Sequence, residues 1–286
     1  MFKENVALHE RELEFLGYTK LGSMDGAVLQ ALKAKSDALV RKTRQKYPKG
    51  ELFNLINSDA ETKLASNALV DEYLVPVVQS ALDLSLADVW PVSHIIKPFG
   101  LKGGIWHQDS AVVNEQKDFS MNAWMPLIHS NRWNGCLWIL PGSHILKNFK
   151  RQFGHNPIRG AFLKKLQPYM IPVEMKAGEI LVFHRNLIHG SSRNWYPFSR
   201  IAVECLVTSK DAQFVNFHRD KNMHEQKIME FQVPSSHFLK ANPKEDFYSG
   251  AYKYILHDDE TDEAIKDYLL QSIPNCIAHA GKFAKP

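Results

Sequence analysis

Between residues 87 and 209 the chain is a succession of short apolar runs cut by turn signals, and this punctuation constrains the fold more than any other feature. Residues 89–97, 120–127, 135–140, 169–175, 180–184 and 200–209 are each of strand length. Pro98-Phe99-Gly100, Pro141-Gly142-Ser143 and Lys176-Ala177-Gly178-Glu179 supply turns between them. The run 200–209 is rich in Val, Ile and Leu and is the strongest strand. Many short strands with turns between them predict a sandwich or barrel.

The flanks read differently. Residues 7–15 form a short helix stopped at Gly17, and 18–21 form an edge strand. Residues 27–42 carry Val28, Leu29, Leu32, Ala38 and Leu39 at helical spacing, behind a start signal of Ser23 and Asp25 and ahead of Pro48-Lys49-Gly50. A further helix runs over 60–82, capped by Asn57-Ser58-Asp59, with Pro76 as a kink or boundary. These helices are expected to pack on the sheet as scaffold. Residues 147–166 read as a basic, partly helical connection. After Ser209 the signals thin until an acidic run, 258–263, that suits the positive end of a helix over 264–273.

A chain of 286 residues suits one domain: N-terminal helices over 1–85, a β core over 86–210 and a C-terminal lid and helix over 211–286. The net charge of +4 is spread among acids and forms no basic block, so nucleic acid is not an expected partner. Cys136, Cys205 and Cys276 are far apart and odd in number, which excludes a disulfide framework and a thiolate zinc site. The start, Met1-Phe2-Lys3-Glu4-Asn5, lacks the apolar stretch of a signal peptide, and no run is long enough to span a membrane. The expected setting is the cytoplasm, with a small molecule as partner.

Trp106-His107-Gln108-Asp109 carries the chemistry. In extended backbone, residues i and i+2 point the same way. His107 and Asp109 can thus offer an imidazole and a carboxylate to one metal. A third ligand must come from elsewhere, with His184 and His189 as candidates; five apart, they would face opposite ways on an uninterrupted strand. Two histidines and a carboxylate on one side leave coordination positions open, as in non-haem Fe(II) oxygenases. Arg200 follows His189 by eleven residues and could grip a carboxylate through two parallel hydrogen bonds, with Arg193 and Arg185 as alternatives.

His107-Gln108-Asp109, Trp124-Met125-Pro126-Leu127, Asn134-Gly135-Cys136-Leu137, Pro141-Gly142-Ser143-His144, Gly178-Glu179, His189-Gly190-Ser191 and Arg200, in that order, resemble the phytanoyl-CoA dioxygenase family of Fe(II)/2-oxoglutarate-dependent oxygenases. The likeness spans roughly residues 85–210. It implies a double-stranded β-helix, also described as a jelly roll (cupin-like), mainly β with flanking helices. It selects His189, the histidine before Gly-Ser, as the third metal ligand beside His107 and Asp109. It makes Arg200 and Ser191 the holders of the distal carboxylate of 2-oxoglutarate and places Trp124 on that pocket. Lys97, where the strand precedes the metal loop, is expected to face solvent. In related halogenases a small residue replaces the carboxylate ligand, so Asp109 implies hydroxylation or another oxidation. The implied cofactors are Fe(II), 2-oxoglutarate and O2.

The expected reaction is hydroxylation of an unactivated C–H of a small metabolite or amino-acid-like substrate, with release of succinate and CO2. Desaturation, epoxidation or cyclisation at the same centre is the rival among enzymes, and a non-catalytic jelly-roll binding protein is the rival outside them. A zinc hydrolase would tolerate the three ligands but would leave Arg200 and the Gly-Ser without a task. Residues 210–254, rich in aromatics, are expected to shape the substrate mouth, with Arg219 as a contact.

Overall fold

The computed structural model describes residues 1–47, 54–101, 106–146, 149–154, 161–219, 227–239, 252–259 and 261–284. Pro48-Lys49-Gly50 and the glycine pair Gly103-Gly104, both read as breaks in the sequence, lie outside the described residues.

Among the described residues, five α-helices and eleven strands follow one another: α1 Val6–Leu16, β1 Tyr18–Ser23, α2 Gly26–Lys46, α3 Ala60–Ala81, β2 Ala87–Lys97, β3 Ser120–Pro126, β4 Leu137–Ile139, α4 Ala161–Leu166, β5 Ile171–Val173, β6 Glu179–His184, β7 His189–Ser191, β8 Arg200–Ser209, β9 Val215–His218, β10 Lys227–Gln232, β11 Tyr254–Asp258 and α5 Asp262–Gly281. The helix starts are chemically marked. Asp25 accepts from the amides of Ala27 and Val28, Asp59 from Thr62 and Thr261 from Ala264, each meeting an amide that the helix itself cannot pair. Pro76 sits inside α3 and does not end it.

The strands form three sheets. The largest has the order β1-β6-β3-β8-β2 with every pair antiparallel, and β1 lies at its edge. A second joins β5, β4 and β7, and a third joins β11, β10 and β9. The third sheet was not legible in the sequence, where the signals after Ser209 fade.

Alternation along the large sheet divides its labour. Ala123, Met125, Val182, Val203, Cys205 and Val207 face one way and bury against Leu32, Val70, Leu74 and Val78 of α2 and α3. Trp124, Leu181, Phe183 and Ala202 face the other way, onto Leu137, Ile139 and Val173 of the second sheet. The first face buries a polar ring, His94. Its two ring nitrogens meet Ser36 of α2 and Ser66 of α3, each at 2.8 Å. Burial pushes its pKa down to about 4, so the ring is neutral and satisfied.

α5 closes the end of the molecule near the second sheet. Ile265, Leu269, Ile273 and Cys276 pack on Trp106, Leu140, Phe149 and Ile188. The turn at Gly142 has a positive φ of 76°, and a Cβ there would collide with the Cys276 carbonyl. Glycine is therefore required on both counts.

Candidate metal centre

β7 carries His189 and Ser191 on the second sheet, in register with Ile139 and Leu137 of β4. His107 meets β7 through one bridge: its N–H donates to the His189 carbonyl at 2.8 Å, and the His189 N–H donates back at 2.9 Å. The extended strand expected at His107 and Asp109 is thus only this bridge, and Asp109 belongs to the loop beyond it. The carboxylate is delivered by braces instead. The Asp109 N–H donates to the Arg185 carbonyl at 2.9 Å, and Arg151 Nε donates to the Asp109 carbonyl at 2.5 Å. Arg151 is itself fixed by both Glu115 oxygens at 2.7 Å.

The result is a convergent triad. One ligand atom from each of His107, Asp109 and His189 lies within 4.8 Å of the others. His107 Nε2 is 3.4 Å from Asp109 Oδ1, and His189 Nε2 is 3.8 Å from Asp109 Oδ2. His189 Nδ1 lies 2.9 Å from the Leu187 carbonyl, so Nδ1 carries the proton and the Nε2 lone pair faces the site. Burial, with His107 nearby, lowers the His189 pKa to about 4, which keeps that lone pair available at neutral pH. At Asp109 burial acts to raise the pKa, but Arg185, His189 and His107 together hold the carboxyl well below the usual range. Asn122 Nδ2 donates to Asp109 Oδ2 at 2.5 Å, and Arg185 Nη1 donates to Asn122 Oδ1 at 2.5 Å, so one oxygen of Asp109 is anchored. His184, the other candidate third ligand, ends β6 and stacks on His144 with ring centroids 5.0 Å apart.

Near the triad a cationic side chain is buried without a partner. Arg200 begins β8 and is only 1% exposed. Its guanidinium lies over the Trp124 ring, 5.1 Å from the centroid, and its Nε and Nη1 have no hydrogen-bond partner. Burial lowers its pKa to about 10, so it remains charged at neutral pH. The Trp124 Nε1 is buried and unpartnered as well.

Lys97 requires a correction. The sequence reading left it facing solvent, but it is 3% exposed, and its Nζ donates to Ser191 Oγ at 3.0 Å. It is the register partner of Arg200 across β2 and β8, which places its ammonium in the same pocket. Burial and then Arg200 lower its pKa to about 8. Gly135 makes room: a Cβ there would stand 2.8 Å from Lys97 Cγ and 3.2 Å from the Ser192 carbonyl.

A buried, unpartnered guanidinium is unfavourable unless an anion meets it. With Lys97 and Ser191 beside it, Arg200 fits the distal carboxylate of a dicarboxylic acid. Two imidazoles and a carboxylate converging on one point fit Fe(II). Three convergent side chains that could hold a metal and a buried, unpartnered guanidinium thus occur in one site.

Arg219 is placed elsewhere. Its Nε donates to Asp259, and Nη1 lies 3.9 Å from Asp262 in the first turn of α5. The residues missed by sequence reasoning are Asn122, Arg151, Lys97 and Glu204. Strand parity would have found two of them, since Asn122 shares a face with Trp124, and Glu204 shares one with Arg200. Glu204 is 9% exposed, and burial, then the nearby Asp109, push its pKa up to about 8.

A rice protein (Oryza sativa subsp. japonica) named phytanoyl-CoA dioxygenase 1 is 34% identical over 120 residues, covering 40% of this chain and 42% of that one. An Arabidopsis thaliana phytanoyl-CoA dioxygenase is 34% identical over 126 residues, covering 41% and 43%. The alignments thus span less than half of these relatives. Among solved structures, the non-heme alpha ketoglutarate dependent carbocyclase SnoK from nogalamycin biosynthesis is similar in fold, with a TM-score of 0.54 and 17% identity over 75% of this chain and 88% of that one. The family model described as phytanoyl-CoA dioxygenase (PhyH) matches residues 17–202, and the chain belongs to this family of Fe(II)/2-oxoglutarate-dependent oxygenases.

Proposed function

We propose that this protein hydroxylates an unactivated C–H of a small, amino-acid-like metabolite, consuming 2-oxoglutarate and O2 and releasing succinate and CO2. The two facing sheets are read as a double-stranded β-helix, with the triad held between its walls. The observation that carries the reading is Arg200, buried and charged with two unsatisfied nitrogens, beside three convergent metal ligands.

His107, Asp109 and His189 would hold the iron, which when bound supplies O2 activation and the oxidative decarboxylation of 2-oxoglutarate. The chain's own part is placement. Asn122 and Arg185 fix one Asp109 oxygen, which keeps the carboxylate from rotating and preserves the open positions. Arg200, Lys97 and Ser191 would fix the distal carboxylate and so orient the keto acid. The Trp124 ring, buried beneath the guanidinium, keeps that cradle dry and strengthens its charge interactions.

A cavity of about 260 Å³ opens beside the site, and Arg185 is shared between its wall and the triad's braces. It lies below the roughly 300–1,000 Å³ usual for drug-sized ligands, which favours a compact substrate over a whole acyl-CoA. Free, buried thiols at all three cysteines support the cytoplasmic setting.

Succinate release in the presence of a panel of small amines, amino acids and cyclic alcohols tests the activity. Mass analysis of the product assigns the outcome. Gain of one oxygen supports hydroxylation, whereas loss of two hydrogens indicates desaturation or ring closure. Succinate release that no panel member stimulates, and that His107→Ala leaves unchanged, contradicts the proposal.

A further inference from the structure

Glu204 is the one acidic side chain on the inward face of β8. Its neighbours on that face are Arg200, Ala202 and Leu206. Its register partner on β3 is Trp124, and the next inward residue of β3, Asn122, is the one that holds Asp109. Leu206, two residues on, lines the 260 Å³ cavity with Arg185, Trp90, Val112, Phe214 and Phe238. Along β8, Glu204 therefore lies between Arg200 and Leu206 of the cavity wall, with Asn122, the residue that holds Asp109, opposite Leu206.

Every other carboxylate around the triad has a fixed partner. Asp109 is held by Asn122, and Glu115 by Arg151. Arg185, the nearest candidate for Glu204, spends its guanidinium on Asn122 and on the Ser110 carbonyl. Glu204 itself makes no hydrogen bond or ion pair among the described residues. An isolated buried carboxylate is strongly unfavourable in its ionised form. A site can retain one where a ligand brings the missing partner, as with Arg200 and its anion.

We propose that Glu204 is the substrate-recognition carboxylate of this site, and that the substrate is a compact apolar body bearing a protonated amine close to the carbon that reacts. The proposal rests on the oxygenase reading above and deepens it. A cation both neutralises the carboxylate and satisfies its lone pairs, whereas a hydroxyl does only the second. Trp90, Phe214 and Phe238 would enclose the apolar body, and their faces favour a nearby cation. Lys63 and Asn67 of α3 also line the cavity, and Asn67 Nδ2 donates to the Pro91 carbonyl at 2.8 Å. An amino-acid-like substrate meets both requirements. Glu204 would fix which end of it faces the iron, and so which carbon is oxidised.

The test uses cyclohexylamine and cyclohexanol, which share one apolar body, titrated calorimetrically into the full chain with and without Fe(II) and 2-oxoglutarate, under anaerobic conditions. Wild-type protein should bind the amine at least tenfold more tightly than the alcohol. Glu204→Gln should bring the ratio close to one by weakening the amine alone, and Glu204→Leu should do the same. No amine preference in the wild type, or a preference kept in both variants, overturns the proposal. The keto acid charge-transfer band, recorded on the same samples, separates this from the activity. A wild-type band without amine preference refutes the role of Glu204 and leaves the oxygenase reading standing. Amine preference that Glu204→Gln removes supports the role of Glu204 even where no band forms, and in that case the oxygenase reading fails.

Discussion

The two faces of β8 carry similar backbone and opposite chemistry. Outward, Ile201, Val203, Cys205 and Val207 pack among the apolar residues of α2 and α3. The polar group on that side, His94 of β2, has both nitrogens satisfied by serines. Inward, Arg200 has two nitrogens without a partner, and Glu204 has none among the described residues. Folding satisfies buried polar groups wherever the protein can do so alone. The contrast therefore separates polar residues that hold the fold from those that wait for a ligand.

The sharpest way to break this contrast is to remove a ligand. His107→Ala should take 2-oxoglutarate turnover below detection while the thermal midpoint of the metal-free protein moves little, because His107 is only half-buried. Turnover assays paired with thermal melts check this, and near-normal succinate release from the variant would remove the triad assignment.

The next effect acts on the outward face and runs through pH. His94 has a folded pKa of about 4 against 6.5 for the free side chain, with burial as the cause. Between those values the unfolded chain binds the extra proton, so stability is present above about pH 6.5 and is lost as pH falls toward 4. The full shift corresponds to about 3 kcal/mol. Urea melts of wild type and His94→Gln across this window should show the wild type losing more stability on acidification. Equal slopes would mean that His94 is not the buried neutral ring described here.

Arg200→Met tests the inward face in the opposite sense. Replacing an unpartnered buried cation by an apolar chain of similar size should leave stability unchanged or raised. Binding of 2-oxoglutarate should weaken by about a hundredfold, as expected when two charge-assisted hydrogen bonds are lost. Calorimetry and melts on the same protein read both. A large drop in stability would make Arg200 a structural residue instead. The smallest effect belongs to the braces. Asn122→Ala should weaken Fe(II) binding by about 10- to 100-fold without removing turnover at saturating iron. A metal titration followed by succinate release measures both quantities.

Much of this was readable in the chain because the relevant signals are local. Alternation marked β3, the turn at 176–179 marked the start of β6, Val, Ile and Leu content marked β8, helical spacing marked α2 and α3, and Asp25 and Asp59 marked two helix starts. His107 and Asp109 stood out through their spacing, and the family resemblance selected His189 by the Gly-Ser that follows it. What escaped depends on partners far away in sequence. Lys97 looks like a solvent-facing strand end until β8 places Arg200 opposite it. Arg151 is one of many basic residues until Glu115 and the Asp109 carbonyl meet it. The sheet of β9, β10 and β11 mixes charged and apolar residues, and β11 is largely exposed, so it lacks the buried-face pattern that marks a strand.

The central claim is that triad and cradle together hold iron and 2-oxoglutarate. The most direct measurement is anaerobic addition of Fe(II) and then 2-oxoglutarate to metal-free protein, followed by visible absorption. The account predicts a charge-transfer band from the chelated keto acid, absent in His189→Ala and requiring far more 2-oxoglutarate in Arg200→Met. Folded wild-type protein that binds Fe(II) and 2-oxoglutarate without developing the band would contradict it.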